Sequence, residues 1–204
     1  SLTTNSLTLS SDAGTTCSVT ATMAGNANYN PVSSSSTTIT INKANQSALT
    51  VTSTSGAYYS VLGLTVSGGT TGGVVTFVKD SAGCSLTGSD LTLNSNAGTT
   101  CSVTATKATD SSYYAASSAP VSFSITKADQ AALTVTSITG AYGSTLSLTS
   151  SGGTTNGVVT FVKDSVGCSL TGSSLSLKSN AGTTCEVTAT MAGNTNFNPV
   201  SSSS

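Results

Sequence analysis

Histidine, tryptophan and arginine are missing from this 204-residue chain, and charge is scarce: six lysines face seven acids, with 6% of residues charged. Without histidine there is no imidazole to act as a general base, and zinc loses its commonest nitrogen ligand. Without a basic stripe the chain has nothing to neutralise nucleic-acid phosphates, and no polybasic face for an anionic membrane. No acid–base constellation stands out, so the chain reads as a non-enzyme that needs no cofactor or metal. The lysines do not fall at a Ser-x-x-Lys spacing in a plausible setting, and the serines therefore lack an activating partner. The Gly-rich Ser67–Gly73 is not followed by Gly-Lys-Ser/Thr or a helix start, so it reads as a hairpin connection rather than a phosphate cradle.

What the chain does contain is repetition. The stretch Val74–Ser89 returns almost unchanged as Val158–Ser173, and Gln46, Cys84 and Cys101 return as Gln130, Cys168 and Cys185, a period of 84 residues. Cys17 extends the period backwards from Cys101. A longer period overlies it: residues 1–36 match 169–204 at 28 of 36 positions but match 85–120 at only 21 of 36. Self-similarity of this kind marks a tandem-repeat protein.

Apolar residues make up 36% of the chain and are spaced with a period of two, which argues against disorder. Leu49/Val51, Leu62/Leu64/Val66, Leu91/Leu93, Cys101/Val103/Ala105 and Val121/Phe123/Ile125 each place apolar side chains on one face, the mark of a half-buried strand. For the complete repeat, 43–126, the pattern predicts strands near 48–53, 61–67, 74–80, 91–94, 99–107 and 121–126, with a short one near 84–87. Turns are expected at Ser55-Gly56, Ser67-Gly68-Gly69, Gly72-Gly73, Gly83, Gly88 and Ala97-Gly98. Short one-faced strands at this density predict an all-β, two-sheet sandwich per repeat. Residues 1–42 are the back half of one repeat and are expected to be poorly ordered alone. Residues 127–204 are a repeat without its last strand, whose open edge is expected to accept a donated strand. The junctions 42–46 and 126–130 contain no glycine or proline and predict limited hinge freedom between neighbouring repeats.

Five cysteines recur with the repeat. Metal ligation and redox chemistry both favour Cys-x-x-Cys spacing, which does not occur. The pairs Cys84/Cys101 and Cys168/Cys185 are therefore expected as disulfides within repeats, which implies an oxidising compartment. Because Ser1-Leu2-Thr3 aligns with the residues that follow Cys84 and Cys168, the partner of Cys17 is expected just before Ser1.

The ordered set Lys-Ala-(Asp/Asn)-Gln-x-Ala-Leu-Thr-Val-Thr-Ser, Gly-Ala-Tyr, Ser-Gly-Gly-Thr-Thr, Gly-Cys-Ser-Leu and Ala-Gly-Thr-Thr-Cys-x-Val-Thr-Ala-Thr resembles the bacterial Ig-like tandem repeats of large surface proteins. That resemblance implies Ig-like sandwiches in an extracellular stalk, fibre or adhesin shaft, without identifying a ligand. The leading expectation is a structural rod at a cell surface, or secreted, whose partners are its own neighbouring repeats and which can assemble into fibres by lateral packing or strand donation. The alternative is an adhesin in which Tyr29, Tyr113, Tyr114 and Phe197, at or next to turns, contact a glycan or protein. Aromatics at such places more often plug the end of a sandwich. Lys79-Asp80 and Lys163-Asp164 invite comparison with isopeptide-forming lysines, but Glu186, the only glutamate, has Ser102 at the matching position, and an exposed pair guarding strand ends is the simpler reading.

Overall fold

A computed structural model describes residues 1–180 and 182–204. Among them the chain is all-β, with no helix. The second repeat shows the arrangement most fully. Its longest strand, Thr100–Lys107, lies between Val75–Lys79 and Val121–Thr126, antiparallel to both. Ser55–Ala57 runs parallel to the far edge of Val121–Thr126, and Ala116–Ser117 also pairs with Thr100–Lys107. Facing this layer are two smaller sheets. Ser85–Thr87, Asp90–Thr92 and Val61–Gly63 form one, and Leu49–Val51 with Val66–Gly68 forms the other.

The run predicted as one strand over 61–67 thus divides between two partners. Leu64 N–H donates to Ser89 O at 2.8 Å, and Thr65 O accepts from Thr52 N–H at 2.9 Å, so the chain changes neighbour at this point without leaving the layer. Ser55-Gly56, expected as a turn, is instead part of a strand. A Cβ at Gly56 would lie 2.8 Å from Leu93 Cδ1 and 2.7 Å from Ser60 Oγ, so glycine here permits close approach of the layers.

Period-two alternation determines which side chains meet. Cys101, Val103 and Ala105 are buried, with Phe123 and Ile125 of the neighbouring strand, against Leu49, Val51, Leu64, Leu91 and Leu93 of the facing layer. Cys101 stands opposite Phe123 and Val103 opposite Val121 in register. This is one continuous apolar core between two layers.

The third repeat repeats these pairings in Val159–Lys163 with Val187–Met191, in Thr145–Ser147, Ser174–Ser176 and Ser169–Thr171, and in Leu133–Val135 with Ser150–Gly152. Its core, however, falls into two clusters, one around Leu133, Ala189 and Met191 and the other around Leu148, Cys168 and Leu175. In residues 1–42, Thr16–Val19 pairs with Thr37–Thr40 and Thr22–Met23 with Val32–Ser33, and none of these residues is buried.

Candidate functional site: the repeat joints and an open cleft

Disulfides join Cys84 to Cys101 and Cys168 to Cys185, with Cα–Cα separations of 6.0 and 6.2 Å. Each crosses from one layer to the other, because Cys84 precedes Ser85–Thr87 while Cys101 lies in Thr100–Lys107. Ser81 Oγ sits beside the first, accepting from Ser102 N–H at 3.0 Å, 4.0 Å from Cys84 Sγ. Ser165 does the same with Glu186 N–H and Cys168. Cys17, half-buried, bonds to no other cysteine among the described residues and stands opposite Ile39 as Cys101 stands opposite Phe123. Two disulfides fit folding in an oxidising environment. Among the described residues no helix is long and apolar enough to cross a membrane.

A single loop recurs in all three repeats and carries the turn aromatics. Asn26, Asp110 and Asn194 each use Oδ1 to accept two backbone N–H groups, those of Asn28 and Tyr29, Ser112 and Tyr113, and Asn196 and Phe197, at 2.8–3.1 Å. This is the local side-chain-to-backbone bonding that fixes an Asx turn. The junction segment then pins the loop from its own repeat. Ala44 N–H donates to Ser112 O at 2.8 Å and Ala44 O accepts from Tyr114 N–H at 2.9 Å, and Ala128 does the same with Asn196 and Asn198. Lys43 Nζ adds a bond to Asp110 O at 2.6 Å.

So braced, the loop reaches the preceding repeat. Ser112 Oγ donates to Asp12 Oδ1 at 2.8 Å. Eighty-four residues later, Asn196 Nδ2 donates to Asn96 Oδ1 at 3.0 Å and Asn196 Oδ1 accepts from Ala97 N–H at 2.8 Å. The ring of Phe197 packs edge-on against Tyr58, centroids 5.6 Å apart, and Tyr58 in turn meets Tyr59 edge-on at 4.7 Å. Tyr142, which corresponds to Tyr58, is 71% exposed.

The four aromatics singled out from the sequence therefore lie in different settings. Phe197 is half-buried in the contact with the second repeat, and Tyr113 is half-buried in its bridge to Ala44. Tyr29 and Tyr114 are exposed, at 76% and 52%. Lys79 Nζ donates to Ser81 O at 3.3 Å, while Asp80 accepts from Thr104 Oγ1 at 3.1 Å; Lys163 and Asp164 behave alike.

Two residues used above only to mark the period turn out to hold the structure at this end. Gln46 and Gln130 each place a side-chain amide between loops of their own repeat. Their recurrence at 84 residues was the available signal, but exposure and bonding were not readable from it.

The third repeat also carries a cleft of about 570 Å³. Its floor includes Leu146, Leu148, Leu175 and Leu177, and its two rims are 183–187 and 137–140. Among the described residues no group of three or more metal-ligating side chains occurs. Comparison of the chain with family models, curated proteins and solved structures returns no match.

Proposed function

We propose that this is a structural protein of the extracellular space, built of Ig-like sandwich modules in tandem, each stapled by one disulfide, which acts as a stiff spacer or shaft. The observation that carries this reading is the joint. At both junctions the same Asx-turn loop, locked by its own linker, bonds to the same turn of the preceding repeat. A contact repeated at the 84-residue period transmits orientation from one module to the next, whereas a flexible tether would leave the loop free. The near-neutral surface supports the same role, since neighbouring modules hardly repel one another. The adhesin alternative draws less support, because Phe197 is engaged with Tyr58 rather than presented to solvent.

Small-angle scattering on the whole chain tests the proposal. A stiff spacer gives a curve fitted by one extended arrangement, and N196A/F197A shifts it to a broad distribution of lengths. A broad distribution already in the unaltered chain would overturn the stiff-spacer reading.

A further inference from the structure

Asn156-Gly157 is the one Asn-Gly pair in the sequence, and it stands in the loop that carries the chain from Ser150–Gly152 into Val159–Lys163. Both residues lie outside any strand, and Asn156 is exposed. Its φ is 53°, a left-handed backbone that asparagine and aspartate tolerate better than other side chains do. The carboxamides of Asn94, Asn196 and Asn198 donate to Ser85, Asn96 and Asp129, whereas that of Asn156 bonds to nothing among the described residues. Packing requires the glycine that follows, since a Cβ at Gly157 would lie 2.6 Å from Ala192 O. Gly157 N–H is held only by Thr155 Oγ1, at 3.2 Å, the long end of the hydrogen-bond range.

An asparagine followed by glycine is the pair most open to attack by the main chain on the side chain, because no Cβ crowds the incoming nitrogen. The Gly157 nitrogen gives its proton to solvent and bonds to Asn156 Cγ; the Cγ–Nδ2 bond breaks, and Nδ2 leaves as ammonia. The cyclic imide so formed then takes up water. Opening at the N–Cγ bond gives aspartate in an ordinary main chain. Opening between that nitrogen and the Asn156 carbonyl carbon gives isoaspartate, in which the main chain runs through Cγ and is longer by one carbon. Water is consumed and ammonia released, with no oxidant or reductant. Asn96-Ala97 makes the contrast, since Ala97 carries a Cβ and its N–H is engaged by Asn196 Oδ1 at 2.8 Å.

We propose that Asn156-Gly157 is a site of spontaneous deamidation and that its isoaspartyl product unfastens the clasp between Gln130 and Thr155. The Thr155 hydroxyl serves both sides: it accepts from Gly157 N–H and donates to Gln130 Oε1 at 2.9 Å. An extra main-chain carbon directly after Thr155 carries the Gly157 N–H away and pulls Thr155 out of register with the glutamine. The second repeat holds the control. Gln46 Oε1 accepts from the N–H groups of Thr70 and Thr71, and Thr71 Oγ1 accepts from Gly73 N–H at 3.1 Å, but Gly72 stands in the place of Asn156. The same clasp there has no carboxamide to react. Either product also makes a chain of formal net charge −1 more negative. The proposal requires no assumption about the stiffness of the joints.

The test holds the whole chain in warm, mildly alkaline buffer and follows it by peptide maps that resolve asparagine, aspartate and isoaspartate. Asn156 is expected to convert about tenfold faster than any other asparagine, because only its neighbour lacks a Cβ. The rate should rise with pH, since the attacking nitrogen must lose its proton. The isoaspartyl form is then separated by ion exchange, and its Thr154 and Thr155 amides are expected to exchange hydrogen about tenfold faster than before reaction, with those of Thr70 and Thr71 unchanged. Asn156→Asp carries the new charge on an ordinary backbone whose φ aspartate tolerates, so Thr154 and Thr155 are expected to exchange in it as in the unreacted chain. Conversion of Asn156 no faster than that of the other asparagines would overturn the site. Unchanged exchange in the isoaspartyl form, or equal acceleration in N156D, would overturn the unfastening of the clasp.

Discussion

Gln130 and Thr155 are joined twice over: Gln130 Oε1 accepts from the backbone N–H of Thr155 at 3.1 Å and from its Oγ1 at 2.9 Å. The same oxygen accepts from Thr154 N–H, and Nε2 donates to Ala192 O and Asn198 O at 3.2 and 2.8 Å. Gln130 is 8% exposed, so water cannot readily replace these partners. One amide thus ties the junction to the Gly-rich loop on one side and to the Asx-turn loop on the other.

Gln130→Ala leaves several of those groups without partners, and each buried orphan costs about 1–3 kcal/mol. The expected outcome is a loss of about 2–4 kcal/mol in the third repeat. It is read as faster exchange of the Thr154 and Thr155 amides, with the amides of Thr100–Lys107 in the second repeat unaffected. Unchanged exchange at Thr154 and Thr155 would show that the loop holds itself.

The backbone of the hairpin turn makes a second, cleaner case. Thr4, Gly88 and Gly172 occupy equivalent positions with φ of 53°, 61° and 59°. No atom lies within 4 Å of a Cβ built on Gly88 or Gly172, so only the left-handed backbone opposes a side chain there. Gly88→Thr should destabilise the second repeat by about 1–2 kcal/mol, and Thr4→Gly should relieve a similar cost in the first. Gly68→Ala provides the contrast. Its φ is 85°, and the new Cβ would fall on the carbonyl oxygen of Ala48, so backbone must move and the loss should exceed that at Gly88. Thermal unfolding followed by far-ultraviolet circular dichroism ranks the three.

Much of this was legible in the alternation of apolar residues. Thr100–Lys107 and Val121–Thr126 lie where Cys101/Val103/Ala105 and Val121/Phe123/Ile125 placed them, because burial of one strand face is a period-two signal. Ser55–Ala57 was hidden because its middle residue is a glycine chosen for close packing, which reads as a turn when seen in isolation. The loop aromatics drew notice from the sequence, yet their contacts did not, since Phe197 and Tyr58 belong to different repeats and meet only across a joint.

That joint can be weighed directly. Tyr58→Ala, Phe197→Ala and the double variant form a cycle around one edge-on pair. The coupling expected for such a contact is about 0.5–1.5 kcal/mol. Differential scanning calorimetry should show the transitions of the second and third repeats less coupled in either single variant, with the double variant no worse than additive less that amount. Strict additivity would mean that the rings touch without energetic consequence and that Asn196 alone holds the joint.

The two disulfides should respond differently to reductant. Cys84 and Cys101 are 3% and 0% exposed, sealed by Phe123 and Ile125, whereas Cys168 is 8% exposed and Cys185 is only half-buried at the rim of the cleft. A thiolate or phosphine must reach sulfur to break the bond, so access sets the order. Under native conditions Cys168–Cys185 is expected to be reduced first, by at least tenfold in rate, as read by alkylation and peptide mapping over time. Losing it removes a staple worth about 3 kcal/mol for a loop of this length. The third repeat should then unfold at lower denaturant than the second. Equal rates would show that the half-buried position of Cys185 gives reductant no advantage.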